Sequence, residues 1–592
     1  MNSLSGEFPM RKLTLPVLLL LSLLLPGLAP AATPGWIETS NAYTQKVLNM
    51  DARYQPESAS YFGADQFDTE AFDLKPRVYE RNLADMEELL VEMQASLKAE
   101  TDTKVKQDLE ILITSLKDRS NTAQLNRKYM LPYIAVGENM FQGLQTLLDP
   151  RNNPERQARA IERLKKYAGT AAGTEPLTEL AKARTRERFS EPDLTGPYVQ
   201  ELEKATKNTD VYINGIADMF KDAKLKGWEK AHRKLAQQLR DYDKWLVQEI
   251  MPRARQDNRL PEPIYADNLK AFGVTMNPRV LMRRALYGFA EIRDEMQVIA
   301  RLIAKEQNLP SDDYRDVLRE LKKKQVVGEA IMPLYKSRLR GLEDIIRMHD
   351  LVTLPARDSI IRLASEAESA ASPAAHMNPP RLIGNQGEYG EFVLPLRNPN
   401  ADPGEVMDDF INESVAWTLT AHESRPGHEQ QFSAMVESGV SLARAIYAFN
   451  SANVEGWGLY SEAIVKEYLP LDGQLFVLQS RMLRAARAFL DPMLNLGLMQ
   501  PEQAKAFLMN AATFSGPFAT QEVDRYTFRA PGQATSYYFG YMNLRALRME
   551  VEMAMGPRFK QKEFHDYLLQ QGLLPPAQLR KAIMEEFAGV KS

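Results

Sequence analysis

The sequence predicts a mainly α-helical protein with at most a small β element. Apolar residues recur at three- and four-residue spacing through most of the chain, as at Leu83, Met86, Leu90 and Met93, and this spacing lines one face of a helix. The exception is the stretch 372–410, where repeated prolines and glycines are incompatible with a long helix. The sequence shows no fixed-period repeat and no low-complexity tract.

The N-terminus has the pattern of a secretory signal peptide. Arg11 and Lys12 precede an apolar run from residue 13 to residue 25, and small residues near Ala31 form a cleavage site. The apolar run is too short for a convincing membrane span, although an uncleaved anchor is the alternative. We therefore expect residues 1–31 to be removed, leaving a periplasmic or secreted protein with no stable membrane anchor.

Length, charge and composition limit the domain organisation and the classes of function that are possible. At 592 residues the chain exceeds one ordinary core, so we divide it into an N-terminal helical region, 32–370, and a C-terminal helical region, 371–592, that pack as one body. The net charge of −4 comes without a large basic block, which makes nucleic acid an unlikely partner. The absence of cysteine excludes thiol catalysis, disulfides and cysteine zinc sites, so any metal must be held by His, Asp or Glu.

Helical patterns follow one another through the N-terminal region. Residues 35–75 are mixed, and we expect the segment 56–63 to be a loop that docks on the body. Further along, amphipathic helical segments are predicted at about 77–120, 154–168, 174–190, 195–222, 226–250, 278–306 and 311–348.

The C-terminal region starts with the interruption at 372–410 and then returns to helices. Within the interruption, residues 389–394 could form a strand that borders a substrate cleft and holds an extended peptide by main-chain hydrogen bonds. A long surface loop without function is the alternative. Helices are predicted afterwards at 440–468, 474–497, 501–512, 518–528 and 534–555.

Two of the six histidines lie in one short stretch, which is the first candidate site. His422 is followed directly by Glu423, and His428 follows a Pro-Gly pair. The pattern is close to the His-Glu-x-x-His zinc helix, but the second histidine comes six residues after the first instead of four. In an unbroken helix this step turns the rings about 120° apart, whereas a kink at Pro426 and Gly427 could bring them together. We expect His422 and His428 to be metal ligands on that condition.

A site with two histidines needs at least a third ligand. Glu455 is the best candidate, because enough residues separate it from His428 for one helix to end and another to return. Glu462 is the alternative ligand; it lies two helical turns beyond Glu455, so whichever acid is not a ligand could orient a histidine. Two imidazoles favour zinc, about one ion per chain, or another divalent transition metal. The four remaining histidines are interpreted as structural or exposed: His232, His349, His376 and His565.

The catalytic candidates are one carboxylate and one tyrosine. Glu423 adjoins a ligand and would act as the general base that takes a proton from water. The segments 522–526 and 531–541 are rich in tyrosine, and a hydroxyl there could donate to the oxyanion of a tetrahedral intermediate, with Tyr537 as the first choice. Further candidates, for substrate binding, are Arg487, Arg525, Tyr526, Tyr538 and Tyr389.

Several blocks of the sequence together resemble the bacterial domain-of-unknown-function 885 family, a group that looks like helical zincin-type peptidases. The blocks are 56–63, 422–428, 455–462, Glu522 with Arg525 and Tyr526, and 531–534 with Tyr537 and Gly540. The resemblance implies a helical body split by a deep cleft, similar to the neurolysin-like metallopeptidases, with His422, His428 and Glu455 as the metal ligands. Two departures, Asn495 where many relatives have a histidine and the unusual segment 386–391, mean that substrate preference does not transfer from the family.

The sequence therefore predicts an exported zinc-dependent peptidase, with a peptide or another small molecule as its substrate. Glu423 would shuttle the proton, and zinc with a tyrosine would stabilise the oxyanion. Two alternatives remain open: a metal-dependent hydrolase of a non-peptide amide or ester, and a non-catalytic helical binding protein.

Overall fold

The computed structural model describes residues 35–372, 374–396 and 404–590, and most of them are helical. The mainly α prediction is confirmed, with one small sheet of three strands in these residues. The predicted signal peptide and its cleavage point after Ala31 lie outside the described residues. No helix in the described part combines the length and the apolar character that crossing a membrane requires.

The chain up to residue 348 is a succession of helices. The first are α1 (Gly35–Tyr54), α2 (Pro56–Phe62), α3 (Val78–Ala99), α4 (Thr103–Tyr129), α5 (Val136–Leu148), α6 (Pro154–Ala158) and α7 (Ala160–Tyr167). They are followed by α8 (Leu177–Arg186), α9 (Val199–Asp222), α10 (Glu229–Trp245), α11 (Glu262–Ala271), α12 (Pro278–Gln307), α13 (Tyr314–Lys322) and α14 (Ile331–Met348). Most of the helical segments expected from periodicity are present, but the segment 77–120 divides into α3 and α4, and the segment 311–348 divides into α13 and α14.

The segment predicted to be a docking loop is instead helix α2. Pro56 occupies the start of the helix, where its missing N–H would have no partner anyway, and Gly63 ends it with a φ of 107°. Glu57 on this helix accepts a hydrogen bond from the Tyr167 hydroxyl at 2.8 Å, so the segment does dock against α7. The loop prediction was wrong because a short helix between a proline and a glycine leaves too few residues for a periodic pattern.

The stretch predicted to interrupt the helices contains the sheet. Its elements are β1 (Ile360–Leu363), helix α15 (Glu366–Ala371), β2 (His376–Asn378) and β3 (Glu391–Leu394). β3 is central: it pairs parallel with β1, with Phe392 opposite Ile361, and antiparallel with β2, with Phe392 opposite Met377. The predicted strand over 389–394 is confirmed as β3, but the edges of the sheet are β1 and β2.

The C-terminal part returns to helices, as predicted. They are α16 (Val415–Glu423), α17 (His428–Ser438), α18 (Ser451–Val465), α19 (Leu471–Asn495), α20 (Pro501–Asn510), α21 (Gly516–Asp524), α22 (Thr535–Met555), α23 (Gln561–Leu569) and α24 (Pro576–Ala582). A π-helical turn, Arg525–Arg529, continues α21 directly, so the helix predicted over 518–528 changes its hydrogen-bond pattern part of the way along.

Buried apolar residues collect in one large cluster and several smaller ones within the described residues. The large cluster joins α11–α14 to α16 and α18–α24, with α12 packed along α19 and α18 along α22. A second cluster joins α5 and α7–α10, and a third joins α1, α3 and α4. Helices α11–α14, which the sequence assigned to the N-terminal region, thus share a core with the C-terminal region.

Helix α19 runs through the large cluster and is buried on nearly every face. Leu475, Leu478 and Met482 are essentially inaccessible to solvent, and burial of such side chains stabilises the fold by about 1.5–3 kcal/mol each. The same helix carries Arg484 and Arg487, which are 8% and 4% exposed. Its apolar packing therefore holds two guanidinium groups inside the protein.

Candidate metal centre

The two histidines of the predicted motif lie on different helices. Helix α16 ends at Glu423, the Arg425–Pro426 peptide bond is cis, and α17 begins at His428. Gly427 lies so close to α16 that a Cβ atom there would be 1.9 Å from the carbonyl oxygen of His422. The helix therefore breaks at the Pro-Gly pair, and the two imidazole rings come together with 4.7 Å between their centroids.

Helix α18 brings Glu455 to the same point. Its Oε2 atom lies 3.4 Å from Nε2 of His422 and 3.3 Å from Nε2 of His428. A tetrahedral zinc site with bonds of about 2.0–2.1 Å has edges of about 3.3–3.4 Å, so both distances match. Glu455 Oε2 and His428 Nδ1 are buried with no hydrogen-bond partner among the described residues. The two Nε2 nitrogens and the unsatisfied carboxylate oxygen of Glu455 fit a zinc ion.

The imidazole rings fit against α18 because residue 458 is glycine. A Cβ atom there would lie 2.6 Å from Cε1 of His422 and 2.9 Å from Cε1 of His428. Glu455 and Gly458 are three residues apart and share one face of the helix. The helix thus presents a ligand and, one turn later, the space into which both rings pack.

The other two residues of the Glu-Gly-Trp-Gly block position the surrounding backbone. A Cβ atom on Gly456 would lie 2.7 Å from the backbone of Gly540, so α18 and α22 approach to backbone contact there. Trp457 Nε1 donates toward the carbonyl oxygens of Pro426 at 3.0 Å and Gly427 at 3.1 Å. The block therefore holds the turn between the histidines and sets the position of α22.

Glu462, the alternative ligand, lies behind His422 on the side away from Glu455. One carboxylate oxygen is 2.7 Å from Nδ1 of His422, and the other accepts from the Thr418 hydroxyl at 2.7 Å. Burial raises the pKa of Glu462, but Arg484 and His422 lower it by a larger amount. The pKa is therefore below its usual value, at about 2. The ionised carboxylate orients the ring so that Nε2 faces Glu455.

Glu423 ends α16 beside the two histidines and is 6% exposed. Burial raises its pKa, and positive charge on His422 or His428 acts in the opposite direction. A carboxylate with a raised pKa is a better proton acceptor than an ordinary glutamate, which suits a general base. His376 on β2 is also within electrostatic range of Glu423. Sequence reasoning assigned His376 no role, because nothing in its irregular stretch relates it to the distant motif.

Helix α22 places Tyr537 next to the histidines. Its ring lies 6.4 Å from the ring of His422, between centroids, and nearly parallel to it. Its hydroxyl oxygen accepts a hydrogen bond from Nη1 of Arg525 at 3.0 Å. A hydroxyl that accepts from a guanidinium can still donate its own proton, so this contact leaves the Tyr537 hydroxyl free to act as a donor.

Arg487 and Tyr526, two of the predicted substrate-binding residues, both contact Glu522. Arg487 donates to its two oxygens at 2.7 Å each, and the Tyr526 hydroxyl donates to it at 2.8 Å. Burial raises the pKa of Glu522, but Arg487 and Arg525 lower it by a larger amount. The pKa is therefore below its usual value, at about 2. Tyr526 is fully buried in this network, which gives it a structural role.

Tyr538 and Tyr389 are not brought to the histidines by any contact described in the structure. Tyr538 packs against α12, where a Cβ atom on Gly288 would lie 1.8 Å from its hydroxyl. Tyr389 accepts from Arg151 through its carbonyl at 2.7 Å and packs its ring near Arg357. Its segment leads directly into β3.

Asn495, the departure from the family pattern, supports the π-helical turn. Its Nδ2 atom donates to the carbonyl oxygens of Asp491 and Tyr526, both at 3.0 Å. Asp491 also accepts from the Tyr265 hydroxyl at 2.9 Å and from the Gly532 N–H at 2.9 Å. Asn495 therefore stabilises the backbone next to Arg525, because the carbonyl oxygen of Tyr526 accepts a hydrogen bond from its side chain.

His565 packs behind Trp457, and its burial predicts a pH effect on stability. The ring lies edge-on to Trp457 at 5.8 Å and 2.8 Å from the Tyr460 hydroxyl. Burial lowers its pKa from 6.5 to about 4, partly offset by the Leu351 carbonyl. Because the unfolded chain takes up the proton first, the stability that the neutral ring contributes is present above pH 6.5. It is lost as pH falls to about 4, by up to roughly 3 kcal/mol.

Replacing His565 with glutamine is expected to flatten this part of the pH dependence. The free energy of unfolding, from urea denaturation between pH 4 and pH 6.5, measures the slope for the unmodified protein and the variant. His349, exposed and stacked on Tyr468, supplies the control variant His349→Gln, which should keep the original slope. An unchanged slope in His565→Gln would contradict the assignment.

Three cavities share a wall at Tyr133. Their volumes are about 880, 780 and 360 Å³. The largest reaches His376 and Asn378 on β2, and the other two reach Phe528 and Arg529 of the π-helical turn. The open space thus borders the strand near Glu423 and the turn that carries Arg525.

Comparisons with known proteins give one family and a fold. The family model described as "Bacterial protein of unknown function (DUF885)" matches residues 56–583. A solved structure from Colwellia psychrerythraea, described as a "putative lipoprotein", is 17% identical with a TM-score of 0.77, covering 94% of this chain and 100% of its own. Another "putative lipoprotein of unknown function", from Shewanella oneidensis, is 18% identical with a TM-score of 0.69, covering 93% and 100%. At these identities the likeness shows the fold alone. No curated protein matches the chain.

Proposed function

This chain belongs to the bacterial DUF885 family, and we propose that it is an exported zinc-dependent peptidase that hydrolyses peptide bonds. The observation that carries the proposal is the meeting of two imidazole nitrogens and one carboxylate oxygen within 4.8 Å of one another, with both nitrogen-to-oxygen distances matching the edge of a zinc tetrahedron. Three protein ligands leave a fourth position open, which is the arrangement of catalytic zinc sites, whereas structural sites are closed by four.

The side chains divide the work of hydrolysis among them. His422, His428 and Glu455 would hold the ion, which when bound polarises a carbonyl group and lowers the pKa of water. Glu423 takes a proton from the attacking water and passes it to the leaving amine, since it is buried beside the ligands and burial raises its pKa. Tyr537 donates a hydrogen bond to the carbonyl oxygen as negative charge develops there.

A peptide substrate is supported by the strand next to Glu423. β2 is an edge of the sheet, and its residues His376 and Asn378 line the largest cavity. An extended peptide in that cavity can add to the edge through main-chain hydrogen bonds, which do not depend on its sequence. This favours peptide bonds over isolated amides or esters.

A location outside the cytoplasm is supported by two separate observations. The first 31 residues have the charged, apolar and small-residue regions of a signal peptide. Both structural neighbours carry the description "putative lipoprotein", although this chain has no cysteine to which a lipid could be attached. We therefore propose export without lipid anchoring.

Metal analysis of the purified protein tests the proposal first. We expect about one zinc ion per chain, and loss of that zinc in the variant His422→Ala/His428→Ala. The exposed His349→Ala is the matched control and should retain zinc. A protein that takes up no zinc even when zinc is supplied would overturn the metal centre. Zinc-loaded protein that hydrolyses esters but no peptide in a peptide panel would overturn the peptidase assignment alone.

A further inference from the structure

Three guanidinium groups surround the ring of Tyr537. Arg487 lies closest, with Cζ at 4.4 Å from the ring centroid, and Arg484 and Arg525 follow at 5.8 Å and 5.9 Å. Because the same ring lies beside His422, this cationic cluster adjoins the candidate metal centre. Buried cations need negative charges nearby. The number of carboxylates in contact with the three guanidinium groups therefore determines whether the cluster keeps a net positive charge.

The cluster holds more positive charge than its carboxylates balance. Glu522 binds Arg487 through both oxygens and lies 3.8 Å from Arg525. Glu462 lies 3.6 Å from Arg484 but is also bound to His422. Three guanidinium groups thus share two carboxylates. Glu455 is within electrostatic range of Arg525, yet in the proposed function its charge is committed to zinc.

Two nitrogens of the cluster are buried without a hydrogen-bond partner among the described residues. They are Nε of Arg484 and Nη1 of Arg487, on side chains more than nine-tenths buried. A buried donor left unsatisfied is costly, and a charged one more so. Arg525 is different, since 17% of its side chain is exposed, the same fraction as for Glu455. The cluster therefore has an open side at Arg525 and a closed, donor-rich side behind it.

We propose that this cluster binds the free C-terminal carboxylate of the peptide substrate. The proposal rests on the proposed peptidase function and narrows it to release of short C-terminal fragments. Guanidinium groups bind carboxylates in a planar, two-bond arrangement and remain charged when buried. A carboxylate bound at the open side of the cluster supplies the missing negative charge.

The position of the cluster sets which carboxylate it binds. The ring of Tyr537 lies 6.4 Å from the ring of His422, between centroids, and Nη1 of Arg525 lies 3.0 Å from the Tyr537 hydroxyl oxygen. At about 3.3–3.6 Å per extended residue, a carboxylate at Arg525 is within reach of a short C-terminal segment that follows the cleaved bond. Burial of Arg484 and Arg487 closes the site behind Arg525, which suits the end of a chain better than a side chain along it.

Matched peptides test this directly on the zinc-loaded full-length protein. N-acetylated tetrapeptides of alanine and phenylalanine are compared as free acids and as C-terminal amides, with a third set of amides ending in glutamate. We expect amidation to lower kcat/KM by about 10–100-fold, the effect of losing hydrogen bonds to a charged group. If the glutamate amides match the free acids, a side-chain carboxylate is the ligand and the C-terminal assignment is overturned.

The variant Arg525→Met tests whether Arg525 is the residue that gives the preference for a free C-terminal carboxylate. We expect its ratio of kcat/KM for free acid over amide to fall to about one, because the open donor of the cluster is removed. Arg545→Met is the matched control: Arg545 is exposed and donates to the Tyr541 hydroxyl at 2.9 Å, the same contact that Arg525 makes to Tyr537. This variant should keep the original preference.

The outcomes separate the two proposals. Equal cleavage of acids and amides by the unmodified protein would overturn the carboxylate site and leave the peptidase function standing. If no peptide is cleaved, the peptidase function fails, and calorimetric titration of the metal-free protein with acetyl-trialanine and its amide still decides the site. Binding of acetyl-trialanine but not of its amide, with loss of that binding in Arg525→Met, supports the carboxylate site. Equal binding of the two compounds, or no binding of either, overturns it.

Discussion

Replacing Glu423 with glutamine is expected to lower kcat on a cleaved peptide by about 10²–10⁴-fold, with zinc still bound. Glutamine has the shape of glutamate but cannot take a proton from water or pass one to the leaving amine. Glu423 is buried at the end of α16, where an amide of the same volume leaves the packing intact. Because the three candidate ligands are other residues, metal content should be unaffected.

The control for this variant is Glu413→Gln. Glu413 is an exposed carboxylate just before α16, so the same chemical change there should leave both kcat and zinc content at their original values. Turnover retained in Glu423→Gln at the original rate would remove the general-base assignment. Loss of zinc together with activity would instead show that Glu423 contributes to holding the metal.

Replacing Gly458 with alanine is expected to lower zinc affinity by more than about 100-fold, beyond the typical effect of altering a residue that orients a ligand. The added Cβ would lie 2.6 Å from His422 and 2.9 Å from His428, far inside normal contact. His422 is 2% exposed and held from behind by Glu462, so it cannot move aside without losing its orientation. Chelator competition measures the affinity, and circular dichroism checks that the helices are retained.

The matched control is Gly137→Ala on α5. Gly137 is also helical, but the nearest atom to an added Cβ is Cδ2 of Tyr212 at 3.6 Å, an ordinary contact. Zinc affinity should be unchanged there, and helix propensity should improve slightly. If Gly458→Ala binds zinc as tightly as the unmodified protein, the packing of the two rings against α18 described above is incorrect.

The parts of the structure that were predictable carry their information locally. Periodic apolar residues locate most helices, since one buried face repeats within a few residues. The break between His422 and His428 was likewise identified as the condition for their meeting, because a proline and a glycine act on their immediate backbone. Glu455 stood out through the Gly-Trp-Gly sequence that follows it, whose two glycines are contact points with α22 and with the imidazole rings.

The parts that were missed depend on contacts between distant residues. His376 lies in an irregular stretch, and only the pairing of β2 with β3 brings it toward Glu423. The pairing of Arg487 with Glu522 requires α19 to lie against α21, which no local pattern specifies. Periodicity also could not separate Tyr537 from Tyr538, since neighbours on a helix point about 100° apart and either could face the histidines.

The separation of the hydrophobic clusters has a consequence for how the protein moves. Most of the candidate site is built on α16, α18, α19 and α22, which share the large cluster, whereas much of the wall of the 880 Å³ cavity comes from α2 and α5, and α5 packs with α9 and α10 in a separate cluster. A unit with its own core can shift as a rigid body without disturbing its neighbour's interior. Substrate entry and metal binding therefore depend on different parts of the protein. Amide hydrogen exchange should be slower in α18 than in α9.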